Sequence, residues 1–203
     1  MPFHLTCPDP MVNVVLKFLF KLAGWKIDPH VPPEAYRNCV MIASPHTSNW
    51  DFVYALATFA FLKIPVRYTI KKELNLPLLG WMLRSVGAIW IDRSPRRPGE
   101  ARRSTVEAMA DLFEGRDDLV VLVTPEGTRS RVTEWKTGFY TLANQMNLPI
   151  ALGFLDYKKK LAGVGAVVHP TGDMAADMHK IMDFYQHIHP KFPQKFSLDQ
   201  RYV

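Results

Sequence analysis

The sequence predicts an α/β fold: a mostly parallel central sheet flanked by helices, with an amphipathic helix at its N-terminal end. Three observations carry that expectation. After a proline-rich turn at Pro29, Pro32 and Pro33, short apolar runs alternate with segments of helical periodicity. The composition, 203 residues with 48% apolar and 22% charged, suits one sizeable core. The polar residues of unusual type fall in the loops after the apolar runs, at the carboxyl ends of strands, where open α/β sheets hold their ligands.

Taken in order, Met11 to Trp25 reads as a helix on which Val12, Val15, Leu16, Leu19, Phe20 and Ala23 share one apolar face, with Lys17 and Lys21 opposite. Such a face can pack on its own domain or lie on a membrane surface. Strands are expected at Cys39 to Ala43, Val66 to Ile70, Ala88 to Ile91, Leu119 to Val123, Ile150 to Leu155 and Gly163 to Val168. Helices are expected at Asn49 to Leu62, Pro77 to Ser85, Gly99 to Glu114, Gly138 to Gln145 and Asp173 to His187. The chain thus divides into an amphipathic helix with its connector, residues 1–37, and an α/β domain, residues 38–203. The charged loops Arg93 to Arg103 and Tyr157 to Lys160 read as solvated connections.

Composition narrows the function classes. The apolar run Phe52 to Leu62 is too short to span a bilayer. Met11 to Trp25 is interrupted by lysines and has no small-residue cleavage site, so a cytoplasmic protein is expected. A formal net charge of +6 favours anionic partners without choosing between lipid headgroups, nucleotide phosphates and nucleic acid. Cys7 and Cys39 lack zinc-ligand spacing, and Cys39, inside an apolar run, reads as a small core hydrophobe. There is no G-x-S-x-G elbow and no G-x-x-x-x-G-K-[ST] loop. His169, His179, His187 and His189 lack metal-site spacing.

The chemistry concentrates in two loops. His46 and Asp51 would lie about 140° apart on a regular helix, so they meet only if His46 precedes the helix and Asp51 stands in its first turn. Then Asp51 could orient the imidazole and leave its other nitrogen as a base. Ser48-Asn49-Trp50-Asp51 equally fits a capping box in which Asp51 only closes the helix start. His4 and Asp9 repeat the spacing with no strand before them, a chance copy. The other loop, Pro125-Glu126-Gly127-Thr128-Arg129, reads as a tight turn. Gly127 allows close backbone approach, Arg129 offers a fork to phosphate or carboxylate, and Glu126 can bond a substrate hydroxyl or hold Arg129.

His46-Thr-Ser-Asn-Trp-Asp51, Lys71 with Pro77-x-x-Gly80, Gly87, Ile91-Asp92-Arg93, Pro-Glu-Gly-Thr-Arg-Ser and Leu148-Pro149-Ile150 follow one another in an order that resembles the glycerophospholipid acyltransferases, the group of lysophosphatidic acid acyltransferase. The resemblance implies that His46 is the general base and Asp51 its orienting partner. It implies an acyl donor that is acyl-CoA or acyl carrier protein, an acceptor that is a lysophospholipid, and no cofactor, metal or nucleic acid. It implies that Arg93, Glu126, Gly127, Thr128 and Arg129 hold the acceptor, with Lys71 and Lys136 at further substrate-binding positions. It also implies a peripheral place on the cytoplasmic face of a membrane. Two departures, Thr124 for a bulky apolar residue and Trp135-Lys136-Thr137-Gly138 for a Phe-Lys-x-Gly version, bear on the acceptor, since their loops would line its pocket. From the residues alone, an acyl-thioester hydrolase with the same dyad and a non-catalytic binder of anionic lipid stay open.

Overall fold

The computed structural model describes residues 10–70, 87–90 and 101–203. Its strands are β1 (Lys26–Ile27), β2 (Cys39–Ala43), β3 (Val66–Ile70), β4 (Ala88–Trp90), β5 (Val120–Val123), β6 (Ile150–Asp156) and β7 (Leu161–Val168). Its helices are α1 (Pro10–Leu22), α2 (Asn49–Leu62), α3 (Thr105–Phe113), α4 (Gly138–Gln145) and α5 (Met174–Tyr185). The strands form one sheet in the order β1-β7-β6-β2-β5-β3-β4. Every neighbouring pair is parallel except β6 with β7. Only the turn 157–160 separates those two, and so short a link cannot hold the crossover that a parallel pair needs.

β2 lies between β6 and β5, with Val40 opposite Ile150 on one side and Val121 on the other. Cys39, Val40, Met41 and Ile42 are fully buried, as expected of a strand covered on both faces. One core layer joins Val40, Ile42 and Leu152 to Phe139, Leu142, Ile181 and Tyr185 of α4 and α5. The other joins Met41, Tyr68 and Val120 to Phe59 and Ala55 of α2. β2, β5 and β6 therefore end side by side, and the loops after them form one rim.

The expected strands and helices are present wherever they fall on described residues, with ends shifted by a few positions. Two differences have physical causes. β1 was not expected; it is two residues long and is held by pairing with β7. α3 starts at Thr105 rather than Gly99, because Ser104 and Glu107 make reciprocal capping bonds that set the first turn. The expected helix Pro77 to Ser85 and the His4–Asp9 copy lie outside the described residues.

α1 packs the face read from the sequence inward: Phe20 is buried, and Leu16 and Ala23 pack beside it against Ala57, Tyr54 and Phe61. Lys17 and Lys21 place their ammonium groups over the Phe61 ring, 5.1 and 5.7 Å from its centre. A second apolar stripe stays outside: Met11, Val14, Val15, Phe18 and Leu22 are all more than half exposed. Val15, expected on the packing face, belongs to this outer stripe. Among the described residues, no helix is long and apolar enough to cross a membrane.

Candidate active site

β2 runs into Ser44, a cis peptide to Pro45, and then His46 and Thr47 before the chain turns into α2. Ser48 is the N-cap of α2: its backbone is extended, its hydroxyl accepts the Trp50 N–H, and Asp51 closes the capping box. The two readings of Asp51 describe one arrangement. Its Oδ2 accepts the N–H groups of Thr47 at 2.7 Å and Ser48 at 2.8 Å, and the same oxygen lies 3.4 Å from His46 Nδ1. A capping carboxylate turned back over the helix start meets a ring held just before it. His46 is one-sixth exposed and Asp51 is buried, so the pair is largely shielded from screening by solvent.

Asp51 Oδ1 is bonded as well, by the hydroxyl of Tyr157 at 2.6 Å. Tyr157 follows β6 in the turn that the sequence marked only as a solvated connection. Burial, and then the carboxylate beside it, hold its hydroxyl far above the usual phenol range, so it remains protonated and donates at any working pH.

Glu126 sits beneath the His46 loop. It is buried; its Oε1 accepts the Ser44 hydroxyl at 2.8 Å and the His46 N–H at 3.0 Å. Burial raises its proton affinity, and the bonds from Ser44 and His46 oppose that rise. Glu126 thus grips the loop that carries His46, and it does not hold Arg129, which is exposed. Its other oxygen, Oε2, has no partner among the described residues.

Gly127 has a φ of +66°, a left-handed turn that a residue with a Cβ enters only with strain. The Lys136 side chain closes over it, so that a Cβ there would stand 2.6 Å from Lys136 Nζ. Gly127 donates to Thr124 O, and Lys136 N–H to Pro125 O. Gly127, Thr128, Arg129 and Lys136 are exposed together on this loop, one strand over from His46. Trp135 faces the other way. It is buried, its indole N–H donates to Ser197 O, and its backbone N–H donates to Asp199. It therefore does not line the cleft beside His46: the C-terminal segment pins it and thereby holds the base of the Lys136 loop.

A cleft of about 60 Å³ opens beside His46 and Asp51, walled by Phe52, Ala55, Leu122, Thr124 and Phe154. Thr124 is thus at the site, as expected. Lys71 and Arg93 lie outside the described residues. Cys39 is buried and its thiol is pushed up to about 12, as befits a core residue and not a nucleophile.

A family model described as acyltransferase matches residues 29–151. The chain belongs to the acyltransferase family. No curated protein matches it. Within this acyltransferase the matched segment carries His46, Asp51 and the Glu126–Arg129 turn, and it ends before Tyr157. The sequence reading missed Tyr157 and Ser44. Only one signal pointed to Tyr157: it follows a strand that ends on the same rim as β2 and β5.

Proposed function

We propose that this acyltransferase moves a fatty acyl group from acyl-CoA or acyl carrier protein to the hydroxyl of a lysophospholipid, with a 1-acylglycerol-3-phosphate-like acceptor. The observation that carries the reading is the 3.4 Å approach of Asp51 Oδ2 to His46 Nδ1. With the Nδ1 proton on the carboxylate side, Nε2 is left able to accept one. His46 takes the proton of the acceptor hydroxyl as its oxygen attacks the thioester carbonyl carbon. The tetrahedral centre collapses with cleavage of the C–S bond, the thiolate takes the proton from the imidazolium, and ester and thiol leave. Asp51 lowers the barrier by opposing the positive charge that builds on the ring. No metal, cofactor or covalent acyl-enzyme takes part.

The acceptor phosphate is assigned to the cationic side of the β5 loop, Arg129 and Lys136 with the N–H groups of Thr128 and Arg129, and Lys71 and Arg93 are added to it on the resemblance alone. Glu126 serves that site by fixing the His46 loop. The apolar walls of the cleft, Phe52, Ala55 and Phe154, suit the start of an acyl chain. The exposed stripe of α1, with Lys17 and Lys21 at its flank, suits an interfacial helix on anionic lipid, and hence a peripheral position on the cytoplasmic face of a membrane.

The test is thiol release from a long-chain acyl-CoA, with and without lysophosphatidic acid in detergent, for wild type and His46→Ala. Release that needs both the acceptor and His46 supports the proposal. Release without acceptor makes the protein a thioesterase. Absence of release with acyl-CoA and acyl carrier protein alike, across a set of lysolipids, removes the proposal and leaves an anionic-lipid binder.

A further inference from the structure

We infer that Tyr157 is the third member of the dyad, a positioning residue that acts through Asp51. The inference rests on the role proposed for His46. Three observations carry it. The Tyr157 hydroxyl is 2.6 Å from Asp51 Oδ1, the oxygen that the α2 cap does not use. With Oδ2 bound by Thr47 and Ser48 and Oδ1 bound by Tyr157, the carboxylate is held at both ends and cannot turn about its own axis. Finally, the Tyr157 ring is itself fixed: Trp25 meets it edge-on at 4.9 Å and Tyr54 at 6.2 Å, and Lys160 and Lys191 stand over it at 5.9 and 6.0 Å.

The consequence is specific to the reaction. A buried carboxylate that only capped a helix would be satisfied by any donor on its far oxygen, water included. One that must keep a lone pair aimed at an imidazole gains from being fixed in rotation. The bond also draws charge away from Oδ2 and so tempers the pull of Asp51 on a proton at His46. The charged and titratable groups around the pair, among the described residues, are Glu126 beneath the His46 loop, Tyr54 on α2, and Lys160 and Lys191 over the Tyr157 ring. None of them changes in a Tyr157→Phe variant, which keeps the ring and removes one hydroxyl.

Tyr157→Phe should therefore lower kcat by about tenfold with KM for donor and acceptor within about twofold, the scale of one hydrogen bond to a charged group. The acid limb of the kcat/KM–pH profile should move to higher pH, because an unbonded Oδ1 leaves Asp51 a stronger partner for the protonated ring. The same upward move should appear without substrate in the NMR titration of the His46 ring, identified by its loss in His46→Ala. Tyr157→Leu, which also removes the ring, separates packing from bonding. If Tyr157→Phe matches wild type in kcat and in both titrations while Tyr157→Leu is impaired and less stable, the tyrosine is only packing and the inference falls. If Tyr157→Phe loses kcat with neither titration moved, the positioning role through Asp51 falls too. Should His46→Ala keep full transfer activity, the general-base reading fails instead, and the NMR titration still reports whether Tyr157 acts on the dyad.

Discussion

Asp51→Asn separates the capping role of this carboxylate from the orienting role proposed for it. The amide is nearly isosteric, and its oxygen can take the place of Oδ2 and keep both bonds from Thr47 and Ser48. Its NH2 can donate to a Tyr157 hydroxyl that turns to accept, so no buried group is orphaned. Each backbone bond changes from charge-assisted to neutral, a loss of about 1 kcal/mol, or about 2 kcal/mol for the pair. For a chain of this size that is a fall in Tm of about 4–8 °C. Domain stabilities of about 5–15 kcal/mol leave such a protein folded at 25 °C, so capping alone predicts an unchanged rate. The charge at 3.4 Å from the imidazolium is a different quantity. At an effective dielectric of ~20 it is worth about 5 kcal/mol. Recovering half to all of that in the transition state makes the rate loss about a hundredfold to a few thousandfold. The assay pairs thermal unfolding with initial rates of acceptor-dependent thiol release. A variant that unfolds several degrees early yet turns over within threefold of wild type would refute the orienting role and leave Asp51 as a cap. Asp51→Ala, which strands the Tyr157 hydroxyl and both N–H groups, should be the less stable of the two by several kcal/mol.

Gly127→Ala places a Cβ at a φ of +66° and against Lys136, whose flexible end must swing away. About 1 kcal/mol of strain and a displaced cation should raise the acceptor KM about fivefold with the donor KM unchanged; an equal rise in both would contradict the acceptor assignment of this loop. Asp177 is buried, and burial alone would raise its proton affinity. Bonds from Thr171, Lys180 and Tyr140 prevail and hold it down to about 2. A lowered carboxyl contributes stability above its unfolded value near 3.8 and loses it as pH falls through about 2. Denaturant melts should show wild type more stable than Asp177→Asn at pH 6, with the gap closing towards pH 2; a gap independent of pH would mean that the charge is not the source. Replacing Phe18 and Leu22 together by Glu removes two exposed apolar anchors worth about 1.5–3 kcal/mol each and adds like charge to an anionic surface. Flotation with phosphatidylcholine–phosphatidylglycerol vesicles should show at least a tenfold loss of binding at unchanged Tm, and equal flotation would remove α1 from the membrane contact.

Much of this protein was legible before folding because its determinants are local. Apolar runs such as Cys39 to Ala43, short and bounded by turn residues, read as strands buried on both faces. Ser48 and Asp51 fix the start of α2 within four residues, and the tight turn at Gly127 is marked by a single residue. The order of the motifs was equally readable, and with it the acyltransferase family. Tertiary structure decided what depends on contacts between distant residues. Tyr157 reaches Asp51 across 106 positions, and Glu126 reaches His46 across 80, because β2, β5 and β6 end on one rim. Nothing near Glu126 in the chain distinguishes a group that binds substrate from one that grips the base-bearing loop. The loop of Trp135 was expected to line a pocket, yet Trp135 itself is turned inward and pinned by the C-terminal segment. On α1, periodicity identified the face that packs, while the outer stripe at Phe18 and Leu22 became visible only once α2 had covered the other side. Local propensity and spacing are written along one chain, but the bonds of the buried Asp51 carboxylate are completed by a donor that the sheet brings to it from elsewhere.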